Sequence, residues 1–301
     1  MKAVRNQALV FNCQASELVG ILTLPAALSG PLATVVIALP AGGPQYRVGM
    51  GRQLRQLGNY LGERGIGVFR FDYRGIGDSS GEFLGFQSVA DDLKCAIAAV
   101  KAELPEIKHV VLWGGCNAAS AIMIHAWKFP EVTGMVVSNP FLGDHKPGSR
   151  AMRSHYLSRV REREFWAKLF SGRYNVSAYT RSLATHIKAR FRKPQVASPL
   201  EHTPTESKAG REQEASVLNE MLEGMNRFQG RCLFFLSGRS LQSREFQSLL
   251  SNSKAWKLVA KKLAIAQKIL PDADQAFSAH DRHTAQWKGG GFPVIHGIAG
   301  R

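Results

Sequence analysis

Cys116 stands in the run Gly114-Gly115-Cys116-Asn117-Ala118, directly after the buried-strand pattern Val110-Val111-Leu112-Trp113 and ahead of a segment of helical character. A tight turn between a buried strand and a helix lifts one side chain clear of the sheet. The unpaired N–H groups of the helix's first turn then face whatever that side chain attacks. A thiol held there can add to an acyl carbon while nearby N–H groups stabilise the oxyanion that forms. The small residues Gly114 and Ala118 let such a turn pass its neighbours, and the helix N-terminus predicts a lowered thiol pKa. The plainer alternative is that Cys116 is a small buried core residue, as most free cysteines are.

A second turn agrees with the first. Pro40-Ala41-Gly42-Gly43-Pro44-Gln45 follows the β-branched run Ala33 to Leu39, where a backbone N–H can be turned toward the same oxyanion. Gly43 and Asn117 are the two expected donors, and Gln45, Tyr46 and Arg47 are the expected substrate contacts beside them.

These turns need a frame to hold them. Gln7 to Phe11 and Leu18 to Leu22 read as an antiparallel opening pair of edge strands. From Ala33 onward, strand and helix signals alternate through strands at Gly67 to Phe71, Val110 to Trp113 and Gly134 to Ser138, with helices near 51–64 and 89–103 between them. They resume with a helix near 216–228, a strand at Cys232 to Leu236, helices over 244–263 and a short strand at 268–270. Such alternation predicts a mostly parallel central sheet with helices on both faces. Residues 141–215 break the rhythm and read as an inserted basic cap, helical over 153–169 and a linker from 193 to 214. One domain over 1–287 and a disordered glycine-rich tail over 288–301 complete the expected organisation.

Composition narrows the class. The 301 residues carry a formal charge of +16, with 45% hydrophobic and 21% charged residues, the balance of a soluble globular protein. Between Lys146 and Lys193 the basic residues face only Glu162 and Glu164, so the excess is local. A segment of that kind attracts an anionic substrate or a peripheral membrane surface, or else is a solvated helix face. No recognisable motif accompanies the charge to suggest specific nucleic-acid binding. Cys13, Cys95, Cys116 and Cys232 are widely spaced, without a disulfide framework or zinc pattern, which predicts a reducing, cytoplasmic setting and neither metal nor cofactor. No signal peptide or membrane span is expected.

Three stretches together carry a family resemblance: Gly42-Gly43-Pro44-Gln45-Tyr46-Arg47-Val48-Gly49, the segment Phe69 to Phe83 with its D-x-R-G-x-G-x-S pattern, and Val111-Leu112-Trp113-Gly114-Gly115-Cys116. They resemble the exosortase A system-associated hydrolases of type 1, α/β-hydrolase proteins found beside protein-sorting and exopolysaccharide genes. The likeness covers about residues 1–287. It implies an α/β-hydrolase fold, a cysteine nucleophile at Cys116 and a small-molecule acyl substrate, with the loop after Phe71 structural.

The resemblance also marks departures. The family's histidine stands in an A-D-H-T-F-S context, where this chain has Ala273-Asp274-Gln275-Ala276-Phe277-Ser278. Its aspartate follows Ser-Gly, where this chain reaches Ser240 through Ser237-Gly238-Arg239. Glutamine transfers no proton near neutral pH, and serine supplies no charge. Asp144, after the strand that follows the elbow helix, is a candidate displaced acid. His280 and His283 read as surface residues, and His125 lies too far along the elbow helix to touch Cys116. Two readings follow. One is a cysteine-dependent acyl hydrolase or acyltransferase; the other is a catalytically inactive relative that binds or scaffolds.

Overall fold

The computed structural model describes residues 3–27, 30, 32–41, 45–143 and 208–277, with side chains from 216 onward in the last block. Gly43, Asp144, the basic run between Lys146 and Lys193, the 153–169 helix, His280, His283 and the 288–301 tail lie outside the described residues.

Strands β1 (Val4–Cys13) and β2 (Ser16–Pro25) form an antiparallel hairpin in full register. After it come β3 (Thr34–Leu39), helix α1 (Gln53–Gly62), β4 (Gly67–Phe71), α2 (Ala90–Glu103), β5 (His109–Gly115), α3 (Asn117–His125) and β6 (Val132–Ser138). The second part contains α4 (Lys208–Arg227), β7 (Arg231–Ser237), α5 (Leu241–Asn252), α6 (Lys254–Lys262) and β8 (Ala266–Leu270).

The eight strands lie in one sheet in the order β1-β2-β4-β3-β5-β6-β7-β8. β2 runs antiparallel to β1 and β4, and every pair from β4 to β8 is parallel. This is the α/β-hydrolase arrangement expected from the sequence. β3 is buried at all six residues because it has helix layers on both sides. Val35, Ile37 and Leu39 enter one apolar cluster, and Val36 and Ala38 enter the other. A strand covered twice loses polar alternation, which explains its continuous apolar run. On α1, Leu54, Leu57 and Leu61 recur at helical spacing and join the second cluster with Val68, Val111 and Trp113. Each such side chain contributes roughly 1.5–3 kcal/mol on burial. Together they fix the sheet whose strand ends carry the turns of interest.

The loop after β4 has the structural role anticipated for it. Asp72 is fully buried and accepts N–H hydrogen bonds from Arg47 at 2.5 Å and Asp78 at 3.1 Å, while pairing with the Arg47 guanidinium. Ser79 donates its hydroxyl to the Asp72 carbonyl at 2.9 Å and accepts the Val19 N–H at 2.9 Å, which ties the loop to β2.

Two expectations are corrected. The linker read as far as residue 214 ends earlier, because α4 begins at Lys208. Its opening residues lack apolar content but are good helix formers, and propensity prevails there. The insertion also starts later than 141, since Leu142 is buried in the core and the Phe141 N–H bonds the Cys116 carbonyl at 3.2 Å. Among the described residues no helix is long and apolar enough to cross a membrane.

Candidate active site

Cys116 occupies a strained turn that its neighbours impose. Its φ of 55° and ψ of −127° lie in a region that side-chain-bearing residues rarely adopt, at a cost of roughly 1–3 kcal/mol. The Cys116 N–H donates to the Ser138 carbonyl at 2.9 Å, and the Cys116 carbonyl accepts from Ser120 and Phe141 at 3.2 Å each. Gly114 is required by close approach: a Cβ there would lie 2.8 Å from Ile122 Cδ1 and 2.9 Å from the Ala118 carbonyl carbon. Ala118 is therefore part of the same fit, and a larger residue at either position would displace the turn.

The thiol itself corrects one expectation. The helix N-terminus acts as foreseen, since the Asn117 backbone N–H donates to the sulfur and favours thiolate, but burial is the larger influence and pushes the Cys116 pKa up. The sulfur lies in a cavity lined also by Leu39, Leu54 and Trp113, and it loses more from leaving water than one N–H restores.

Gln275 shares a cavity with the thiol. It lines the same cavity, of about 170 Å³, together with Gln45, Gln53, Asn117, Ser138 and the apolar Met50 and Phe277. The chain delivers it there from the end of β8. The Asn139 side chain bridges the two loops, donating to the Gln275 carbonyl at 2.9 Å and accepting the Ser237 N–H at 2.9 Å. Gly238 lets the β7 loop pass against β8, for a Cβ there would lie 2.2 Å from the Pro271 carbonyl oxygen.

Ser240 completes the arrangement. Its Oγ accepts the Ser243 N–H at 3.2 Å, capping α5, so its own hydrogen is free to donate to Gln275 Oε1. That donation orients the amide, and Gln275 Nε2 donates to Gln242 Oε1 at 3.0 Å. Gln275 thus shares the cavity with Cys116, and its amide is tied to Ser240 and Gln242. An amide has no basic lone pair near neutral pH and takes no proton from a thiol.

The expected substrate contacts separate. Gln45 lines the cavity. Tyr46 is largely exposed, with the Arg47 guanidinium 5.8 Å from its ring centre. Arg47 commits its charge to Asp72 and Asp78, and so holds the loop in place of the substrate role expected for it. His125 is far from the thiol, as its helical spacing indicated: its Nε2 lies 2.8 Å from the Gln87 carbonyl. Several site residues escaped the sequence reading: Met50, Gln53, Ser138 and Phe277 in the cavity lining, and Asn139 and Gln242 behind it. Asn139 carried a usable signal: an Asn at a strand end tolerates a left-handed backbone, and its φ is 44°. Among the described residues no group of three or more His, Cys, Asp or Glu is placed to hold a metal ion.

Comparisons with known proteins agree with this frame. No curated protein sequence matches the chain. Solved structures do, the following at low identity. An esterase of Pyrococcus furiosus superposes with a TM-score of 0.62 at 16% identity, covering 98% of this chain and 92% of the esterase. The α/β hydrolase GrgF from Penicillium sp. sh18 gives 0.60 at 15%, covering 99% and 100%. DcsB, solved with a substrate analogue, gives 0.59 at 13%, covering 99% and 100%. These likenesses establish the fold. The profile of the family described as serine aminopeptidase, S33, matches residues 49–232, which is more than half the chain and includes the Cys116 elbow. The chain belongs to this serine aminopeptidase, S33, family of α/β-hydrolase proteins, with a cysteine at the elbow position.

Proposed function

We propose that the protein accepts an acyl group from an ester or thioester onto Cys116 and releases it slowly. The observation that carries this reading is the pairing of an intact elbow with Gln275 in the base position. The elbow supplies a positioned sulfur and the Asn117 N–H. Gln275 supplies orientation but no proton transfer, so neither deprotonation of the thiol nor activation of water is assisted. Gly43 is the second oxyanion donor in this reading, and Asp144 the acid that could stand in for Ser240. The substrate is a small acyl compound, drawn in by the basic segment if it is anionic. The resemblance to exosortase-associated hydrolases directs attention to exopolysaccharide and protein-sorting chemistry in the cytoplasm.

The second reading, a binding protein that no longer reacts, is favoured by the same Gln275 and Ser240 pair and by the raised Cys116 pKa. Intact-mass measurement after exposure to a short-chain p-nitrophenyl ester separates the two. The first reading expects a stoichiometric acyl adduct on Cys116, absent in Cys116→Ala, with little turnover. Neither adduct nor turnover leaves the binding reading.

A further inference from the structure

Two of the remaining cysteines, Cys13 and Cys95, meet outside the elbow site. Cys13 ends β1 fully buried, and its sulfur lies 3.6 Å from Asp92 Oδ1. Asp92 and Cys95 are three residues apart on α2 and so share one helix face. Cys95 therefore lies beside the carboxylate that the Cys13 sulfur touches, close enough for the two thiols to perturb one another. The surroundings hold this meeting in place. The Arg74 N–H binds Asp92 at 3.1 Å, the Arg74 guanidinium binds Asp92 and, at 2.6 Å, Gln14, and Gln14 donates to Asp91 at 2.8 Å. The hairpin turn, the loop after β4 and α2 are therefore fastened around the two sulfurs. Access to them is unequal, since Cys95 is partly exposed and Cys13 is not.

We propose that Cys13 and Cys95 form a redox dithiol that closes to a disulfide between β1 and α2 when the protein meets a small-molecule disulfide. The Cys95 thiolate, its proton passed to solvent, attacks one sulfur of the small disulfide. A mixed disulfide forms and one small thiolate leaves. The Cys13 thiol then loses its proton and attacks the Cys95 sulfur, and the second small thiolate leaves. Two protein thiols are oxidised, and the small disulfide is reduced to two thiols. Burial raises the Cys13 pKa, which makes the second step slow and accelerates it at higher pH.

The test uses the full chain carrying Cys116→Ala, so that the elbow thiol does not report. The protein is incubated with excess oxidised glutathione, quenched in acid, and analysed by intact mass and peptide mapping. The expected product has lost two hydrogens, yields a linked Cys13–Cys95 peptide and unfolds at higher urea than the reduced form, because the link restricts the unfolded chain. Cys13→Ala should stop at a glutathione adduct on Cys95, and Cys95→Ala should leave Cys13 unmodified. A lasting glutathione adduct on Cys95 in the parent, or Cys13 recovered as a free thiol, overturns the proposal.

Discussion

Ser240 donates its hydroxyl hydrogen to Oε1 of Gln275, a residue that lines the cavity of Cys116. In a working triad the middle residue donates to the acid and receives from the nucleophile. In the proposed function Gln275 takes that middle place, receives from Ser240, and so draws no proton from Cys116.

Restoring the direction should restore turnover. Gln275→His introduces a base, and Ser240→Asp supplies its orienting charge. Aspartate is also a good helix N-cap, so α5 keeps the cap that Ser240 provides. The double variant is expected to hydrolyse p-nitrophenyl butyrate about 10²–10⁴-fold faster than the parent, and by more than the two single variants combined. Cys116→Ala should abolish the gain. Steady-state kinetics on the five proteins reads the result.

The thiol should behave as one raised by burial. Its folded-state pKa lies above the ordinary cysteine value, so the thiolate is scarce at neutral pH. Alkylation of Cys116 by iodoacetamide is expected to be slow at pH 7 and still rising beyond pH 9. A plateau near neutrality would mean that the helix N-terminus outweighs desolvation.

The turn should discriminate between its two glycines. Gly114→Ala places a methyl against Ile122 and the α3 backbone, at a cost of roughly 1–3 kcal/mol. At Gly115 the nearest atom to an added Cβ is 3.8 Å away, so Gly115→Ala is expected to fold normally. Urea unfolding of both variants tests the contrast.

Asp72 should be a stability residue of the pocket rim. Asp72→Asn leaves the partly buried Arg47 cation only the exposed Asp78 carboxylate, a loss expected to cost roughly 1–3 kcal/mol. The loss should appear as a lower urea midpoint. It should also loosen the segment that carries Gln45, which limited proteolysis after residue 45 detects.

His125 sets an acid limit. Burial, aided by Lys128, lowers its pKa from 6.5 to about 4. The folded state therefore holds fewer protons than the unfolded chain between those values. Stability from this source is complete above pH 6.5 and falls as pH drops toward 4, by about 3 kcal/mol in all. His125→Gln, which keeps a donor for the Gln87 carbonyl, should flatten that part of a pH–stability curve.

The alternation of strands and helices, the antiparallel opening pair and the elbow were legible because each leaves a local mark. Buried parallel strands leave continuous β-branched runs such as Val35 to Leu39, and the elbow leaves small residues at Gly114 and Ala118. What was illegible depends on partners distant in sequence. Arg47 looks like a substrate contact until Asp72 and Asp78 are seen to occupy it, and Asn139 looks like a strand end until its side chain is seen to hold Gln275. The Cys116 pKa was misjudged for the same reason. The helix N-terminus is written locally, whereas the enclosing Leu39, Leu54 and Trp113 come from three separate elements.

The backbone strain at Cys116 comes from Ser138, Gly114 and the entry to α3, and none of these atoms takes part in proton transfer. The turn is therefore indifferent to the element it displays, so oxygen or sulfur, assisted or unassisted, would be raised to the same place. In the proposed function the display of a nucleophile is separated from its activation, and the side chains at 240 and 275 measure what each half of the design is worth.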